Sequence, residues 1–446
     1  MRTRAFPNTY VILFGLILLC AAVTWLLPGG QYVTGVDGVP VFQQAQSSPQ
    51  TWQVFSALYH GFVKQAGIIV FILIVGGAFW ILNATGAADF GIRRFISRTG
   101  HYDKVVLALI ALLFSAGGAI FGMSEETIPF VGLVAPLAIS MGYNAIVGLL
   151  IVYAASNIGF SSAFLNPFTV GIAQEMSDLP MFSGMGYRII CWVLLTGLFI
   201  AFTLIYASRV KKDNQKKEAS VPVEQDADEG SHTRHWIVLG ILGASIVALI
   251  LGVVFFNWYI AEISALFLAM GILCGIAGGF RANRIAGEFI AGAKDIFGAA
   301  MVVGLASGII IILQDGHVLD TILHSLQTSL EGSSKTTSLT MMYGVQTLIN
   351  LLIPSATAKA AITIPVMAPL CDLIGLGRQS MVLAFQFGDG ITNMVTPTSG
   401  VLIAALAMAK VDYRDWVDCI WKPVLVLIVL GFLLLLPTIF LPIKGF

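Results

Sequence analysis

Charged residues are scarce in this chain. Asp, Glu, Lys and Arg make up 11% of its 446 residues, while 57% are apolar. A soluble globular chain carries about 25% charged residues, so this composition cannot dress a water-exposed surface of ordinary size. The charges present cancel, at 24 basic and 24 acidic residues, and no nucleic-acid partner is expected. Cysteines are few as well: Cys20, Cys191, Cys274, Cys371 and Cys419 lie scattered in or beside apolar stretches. No pair has metal-ligand spacing and no disulfide framework is indicated, which leaves them as small packing residues. The histidines (His60, His101, His232, His235, His317, His324) fall in expected loops or amphipathic helices. Without a buried His/Glu metal motif or a G-x-S-x-G, an intramembrane enzyme has no machinery to use. The chain is read as non-enzymatic and without a resident cofactor.

Long apolar runs are what it has instead. Val11–Leu27 with its flanks, Ala66–Ala84, Ile189–Ile205, Trp236–Phe256 and Val424–Leu441 each approach the roughly 20 residues that cross a bilayer as a helix. The fold class that follows is an all-α polytopic membrane protein. The opening MRTRAFPNTYVILFGLILLCAAV has the basic start and apolar centre of a signal peptide. However, Leu19 before Cys20 is too large for a lipoprotein cleavage site and no A-x-A follows, so a retained first span is expected.

One polar stretch, Arg209 to His235, divides the chain into two similar halves. GFVKQAGIIVFILIVGGAFWILNATG (61–86) aligns without gaps to AGAKDIFGAAMVVGLASGIIIILQDG (291–316), and the same offset relates Pro167 to Pro397. Ser124 and Ser355, and the two APL triplets at 135 and 368, match within a short loop shift. Polar, Pro and Gly anchors recurring at one offset indicate an internal duplication. The expected N-terminal repeat, 1–208, holds spans 9–27 and 66–85, a hairpin 104–141, a broken span 145–180 and a span 187–208. A cytoplasmic linker, 209–235, follows. The C-terminal repeat, 236–446, holds spans 236–257, 258–279 and 298–315, a hairpin 336–372, a broken span 379–409 and a span 414–440. Residues 51–63 are expected as an external amphipathic helix.

With the N-terminus inside and the C-terminus outside, 18 of the 24 Lys and Arg are cytoplasmic. Five are external (Lys64, Arg188, Lys335, Arg378, Lys444) and Lys359 lies within the second hairpin. That skew obeys the positive-inside rule and makes the repeats antiparallel. Inverted repeats with discontinuous helices are the pointer to a secondary transporter.

Four polar breaks interrupt the apolar helices: SEET (124–127), LNPFT (165–169), PSATAK (354–359) and TPTSG (396–400). They form two symmetric pairs, one hairpin tip and one broken span in each half. Backbone that leaves helical geometry at membrane depth survives only where protein or water satisfies it. Pro167 and Pro397 each remove a donor and clash with the preceding turn. The freed carbonyls, with nearby hydroxyls and amides, suit Na⁺, and the half-helix N-termini that follow suit anionic substrate groups. A carboxylate at membrane centre costs roughly 3 kcal/mol. Glu125, Glu126 and Asp389 must therefore face a polar cavity or a cation. Lys359 is a counter-ion for one of these acids or a ligand for a substrate carboxylate. Asn157, Asn166, Gln386 and Asn393 are candidate hydrogen-bond partners of the substrate.

At these residues a resemblance enters. FGMSEETIPF, FLNPFTVGIAQ, IPSATAKAAITIPVMAPL and AFQFGDGITNMVTPTSGVL, with NTYVILFG and VGGAFWILNATGA, resemble the YfcC-like branch of the dicarboxylate anaerobic carrier family, within the ion transporter superfamily. The resemblance spans nearly the whole chain. It implies an inner-membrane, multi-pass secondary carrier of two inverted repeats with re-entrant hairpins, dimeric, moving a transport domain elevator-fashion in the lipid bilayer. It implies Na⁺ and substrate contacts at Ser124–Thr127, Asn166–Thr169, Ser355–Thr357 and Thr396–Ser399; with the polar residues read above, the expected substrate contacts are Ser124, Glu125, Glu126, Thr127, Asn157, Asn166, Ser355, Thr357, Lys359, Asp389, Asn393 and Thr398. Cation coupling, by Na⁺ or H⁺, is implied at Asn166, Thr169, Ser355, Thr396 and Ser399. Lys359 departs from the pattern, since small or neutral residues usually follow SATA. The departure weighs against a purely cationic substrate.

The branch is labelled a basic amino acid antiporter, whereas the family name says dicarboxylates. Adjacent glutamates would repel a dicarboxylate. An amino acid with a cationic side chain needs carboxylates for its positive ends and helix N-termini for its carboxylate. The expected function is therefore transport of amino acids, basic ones first, by exchange or cation-coupled uptake. A dicarboxylate or other anion and an amine-bearing solute such as a peptide stay open as substrates, and a channel as another class.

Overall fold

The computed structural model describes residues 9–34, 40–88, 90–91, 94, 102–218, 232–256, 258, 260–330, 333–441, 443 and 445. The basic stretch 89–101 (apart from 90, 91 and 94), linker residues 219–231 and Lys444 lie outside them. Among the described residues the regular structure is helical except for one antiparallel strand pair, β1 (Gly30–Thr34) and β2 (Pro40–Gln44).

The first half begins with α1 (Thr9–Leu26), α2 (Gln53–Lys64) and α3 (Ala66–Ala84), then a hairpin of α4 (Asp103–Phe121) and α5 (Thr127–Ser140). An interrupted helix follows: α6 (Ala145–Leu149), a π-helical stretch (Leu150–Ala154), α7 (Ala155–Ser161), a second π stretch (Pro167–Gly171) and α8 (Ile172–Glu175). Next come α9 (Met185–Glu218), α10 (His232–Phe256), α11 (Ile260–Ala277), α12 (Ala282–Asp315) and α13 (Leu319–Leu330). A second hairpin, α14 (Lys335–Leu352) and α15 (Ala356–Ile374), precedes a second interrupted helix, α16 (Arg378–Asn393) and α17 (Gly400–Met408). The chain finishes with α18 (Tyr413–Leu435) and α19 (Pro437–Phe440).

Among the described residues seven helices are long and apolar enough to cross a membrane. Their outward faces carry Leu109, Leu113, Val193, Leu194, Leu425, Val429 and Leu433 exposed, a surface that suits lipid and not water. Glycines set the closest crossings. A Cβ on Gly292 of α12 would lie 2.5 Å from the carbonyl oxygen of Gly76 on α3, and one on Gly159 of α7 would lie 1.7 Å from that of Ser115 on α4. Without a hydrophobic drive between helices in lipid, such small-residue contacts allow the close packing that holds a bundle together.

One detail differs from the sequence reading. The helix containing 298–315 begins at Ala282; its first half carries Arg284, Glu288, Lys294 and Asp295, whose charges hide it from a hydropathy window. Arg188 is buried and donates to the Gln379 side chain at 3.1 Å.

Candidate functional site

The first tip is made where α4 ends. Gly122 takes the left-handed conformation at φ 70°, which an L side chain resists. The Asn166 side chain fills the space a Cβ there would need, at 2.6 Å. The interrupted helix wraps the tip: Phe164 and Leu165 both donate their N–H to the carbonyl of Ala119 at 3.2 Å, and Ser156 Oγ donates to that of Met123 at 2.6 Å. Beyond the break Gly171 N–H reaches back to the Asn166 carbonyl at 3.1 Å, a π-type bond, and π geometry often marks functional sites. In the turn SEET, Glu126 accepts from Ser124 N–H at 3.0 Å. It is 8% exposed, and Glu125 is more open. Thr127 Oγ1 donates to the Ser124 carbonyl and is fully buried. These bonds give Glu126 and Thr127 a part in shaping the turn. Glu125 is the freer carboxylate.

The second tip, Pro354–Ser355, joins α14 to α15. The Leu351 carbonyl at its base accepts from Thr398 Oγ1 at 2.8 Å and from Thr396 Oγ1 at 3.4 Å. Ser399 caps α17 by accepting from Leu402 N–H at 3.3 Å. The break after α16 frees three successive carbonyls, and each has a donor from far along the chain. Tyr153 Oη donates to Asn393 at 2.7 Å, Trp416 Nε1 to Met394 at 2.8 Å and Tyr413 Oη to Val395 at 2.6 Å. At this break aromatic donors thus take up one lone pair of each freed carbonyl.

A cavity of about 580 Å³ separates the two tips from α3 and α12. Of the expected residues, Ser124, Glu125, Glu126, Asn157, Thr169, Ser355, Thr357, Asn393, Thr398 and Ser399 line it. The N-terminal residues of α15 and α17 face the same space through Ala356 and Gly400, so two helix dipoles present partial positive charge there. Thr127, Asn166, Lys359, Asp389, Thr396 and Gln386 are not among its walls. Asn166 and Thr127 build the first tip and Thr396 the second. Gln386, expected at the substrate, donates to the Phe160 carbonyl and to Thr169 Oγ1, both at 2.7 Å, and so ties the two interrupted helices together.

Of the two roles expected for Lys359, the structure shows the counter-ion one, with Asp389 as partner. It does not reach the cavity. It and Asp389 are both 0% exposed, and Nζ lies 2.8 Å from Asp389 Oδ1. It also donates to Asn350 Oδ1 at 3.1 Å and sits 4.8 Å from the Phe385 ring centre. Asn350 Nδ2 in turn donates to the Asp389 carbonyl, Thr392 Oγ1 and Asn393 Oδ1 at 2.8–3.0 Å, and Asn393 Nδ2 donates to Asp389 Oδ2 at 3.2 Å. A lone buried charge would be very costly, and pairing with added hydrogen bonds is what makes these two tolerable. The ion pair cancels itself. Glu125 and Glu126 remain in the cavity wall, and among the described residues neither joins a salt bridge. The basic residue in that wall is Lys64, exposed and 3.5 Å from Gln314 Oε1.

Sequence reasoning missed Tyr153, Lys64, Gln65 and Ser307 in the wall. Ser307 Oγ is buried with no hydrogen-bond partner. A lone serine inside an apolar helix was the available signal. Tyr153 had none, since its partner is 240 residues away.

The chain is 35% identical, over 93% of its length and 92% of the relative's, to the Escherichia coli K12 protein named "Putative basic amino acid antiporter YfcC". It is 24% identical to an uncharacterized Haemophilus influenzae protein, covering 97% of each. Two solved transporters align over nearly the whole chain at low similarity. YdaH of Alcanivorax borkumensis has 18% identity, a TM-score of 0.46 and coverage of 96% of this chain and 97% of its own. MtrF of Neisseria gonorrhoeae has 16% identity, a TM-score of 0.42 and coverage of 98% and 96%. The sequence profile of C4-dicarboxylate anaerobic carriers matches residues 6–439, so this multi-pass membrane protein belongs to that carrier family.

Proposed function

We propose that the protein is a secondary active transporter of amino acids with a cationic side chain, working by exchange or by cation-coupled uptake across the cytoplasmic membrane. The observation that carries this reading is the charge of the cavity. Two carboxylates face it, the buried lysine is already neutralised by Asp389, and the basic group at the wall is the exposed Lys64. A dicarboxylate would meet like charge there, which costs affinity. A dibasic amino acid would place its side-chain cation at Glu125 and its carboxylate toward the N-termini of α15 and α17. Na⁺ or H⁺ coupling belongs at the first tip, beside Glu126 and Thr169. Homodimerisation and an elevator-like movement of the tip-bearing helices past α3 and α12 complete the reading. The position of the cavity between these helix groups supports the movement, and the family resemblance supports the dimer.

The test is exchange in proteoliposomes loaded with unlabelled arginine or ornithine, following labelled arginine with and without a Na⁺ gradient. Uptake stimulated by internal substrate, saturable, and lost in Glu125→Gln is the expected result. Uptake of succinate with none of arginine would replace the substrate class and give the glutamates a coupling role.

A further inference from the structure

The Lys359 ammonium occupies a place built for a small cation. Around Nζ stand a carboxylate oxygen of Asp389 at 2.8 Å, an amide oxygen of Asn350 at 3.1 Å and the face of Phe385 at 4.8 Å. Asn350 cannot turn away, because its Nδ2 is engaged by Asp389, Thr392 and Asn393. Asp389 is fixed by Asn393 on its other oxygen. Two side-chain oxygens, one of them anionic, thus face the ammonium in a rigid and wholly buried place; oxygen is the donor hard metal cations prefer, and the aromatic face adds cation attraction. The equivalent region of the first half offers no such pair: at the offset of Pro167 and Pro397, Asp389 corresponds to Gly159, and at the offset of Ser124 and Ser355, Lys359 corresponds to Ile128.

We infer that Lys359 is a tethered cation filling an alkali-cation site between α14, α15 and α16, so that the second half of the protein needs no ion from solution. Removing the lysine opens that site to sodium, with Asp389 and Asn350 as its ligands. Any coupling ion in the native protein is then confined to the first tip.

The test compares wild-type protein, Lys359→Ala and Lys359→Ala/Asp389→Asn. It measures equilibrium binding of radioactive sodium and thermal unfolding in NaCl, KCl and choline chloride at equal ionic strength. Neither readout involves the transported substrate, so the result stands apart from the substrate proposal. Lys359→Ala should bind one more sodium per chain than wild type, and its Tm should rise by about 2 °C or more in NaCl over choline chloride. The double variant should return to the wild-type count. Recovery of Lys359→Ala only in the presence of NaCl would support the inference as well. Equal sodium counts in wild type and Lys359→Ala would overturn it. So would a Lys359→Ala protein that cannot be recovered folded even in high NaCl, because sodium would then have failed to replace the ammonium.

Discussion

The two hairpin tips are built alike and used differently. Each ends one helix, starts another and rests against an interrupted helix from its own half. At the second tip every charge and every freed carbonyl noted above has a protein partner: Lys359 with Asp389, Asn393 with Tyr153, Met394 with Trp416 and Val395 with Tyr413. At the first tip two adjacent glutamates face the cavity, and among the described residues neither has an ion pair. A broken helix in a membrane must be satisfied by something. The second half is satisfied from within. The first keeps charge in reserve, and the account assigns that reserve to the substrate and any coupling ion.

Four experiments break or sharpen this contrast, and the largest effect is expected at the second tip. Lys359→Ala in choline buffer strands a buried carboxylate and should lower stability by roughly 3–5 kcal/mol, read as thermal unfolding in detergent. The apolar pair Lys359→Met/Asp389→Leu should recover most of that loss. At the first tip Glu125→Gln should fold normally and weaken arginine binding about 10- to 100-fold, as expected for one charge-assisted hydrogen bond. Titration calorimetry would show it, and an unchanged affinity would move the substrate away from Glu125. Tyr153→Phe strips the donor from the Asn393 carbonyl and should cost about 1–3 kcal/mol, again by thermal unfolding. The smallest change is expected for Ser307→Ala, which removes an unpartnered buried hydroxyl from the opposite wall. Its stability should stay within about 0.5 kcal/mol of wild type, while a substrate that touches α12 would show a several-fold change in affinity.

The membrane class and the positions of the breaks were legible from composition and from Pro167, Pro397 and the tip residues, because these are local signals. What closes the breaks was not. Tyr153 sits in an apolar run, and Tyr413 and Trp416 in the charged stretch KVDYRDWVD, with no local mark of the carbonyls they hold. Lys359 was visible as an anomaly, yet its role depends on Asp389 thirty positions later and on Asn350 in the facing helix. A signal for that network did exist: Gln346 and Asn350 are one turn apart on α14, as Lys359 and Thr363 are on α15, and Gln346 Nε2 donates to Thr363 Oγ1 at 2.9 Å. Polar residues in register on two apolar helices ask for each other. The length of α12 escaped because its charged first turns lower the hydropathy that a span search reads.

The central claim is that the cavity selects positive charge. Equilibrium binding of labelled arginine to the purified protein, competed by ornithine and separately by succinate, tests it most directly. The account predicts saturable arginine binding, displaced by ornithine and untouched by succinate. Binding of succinate with no binding of arginine would contradict it.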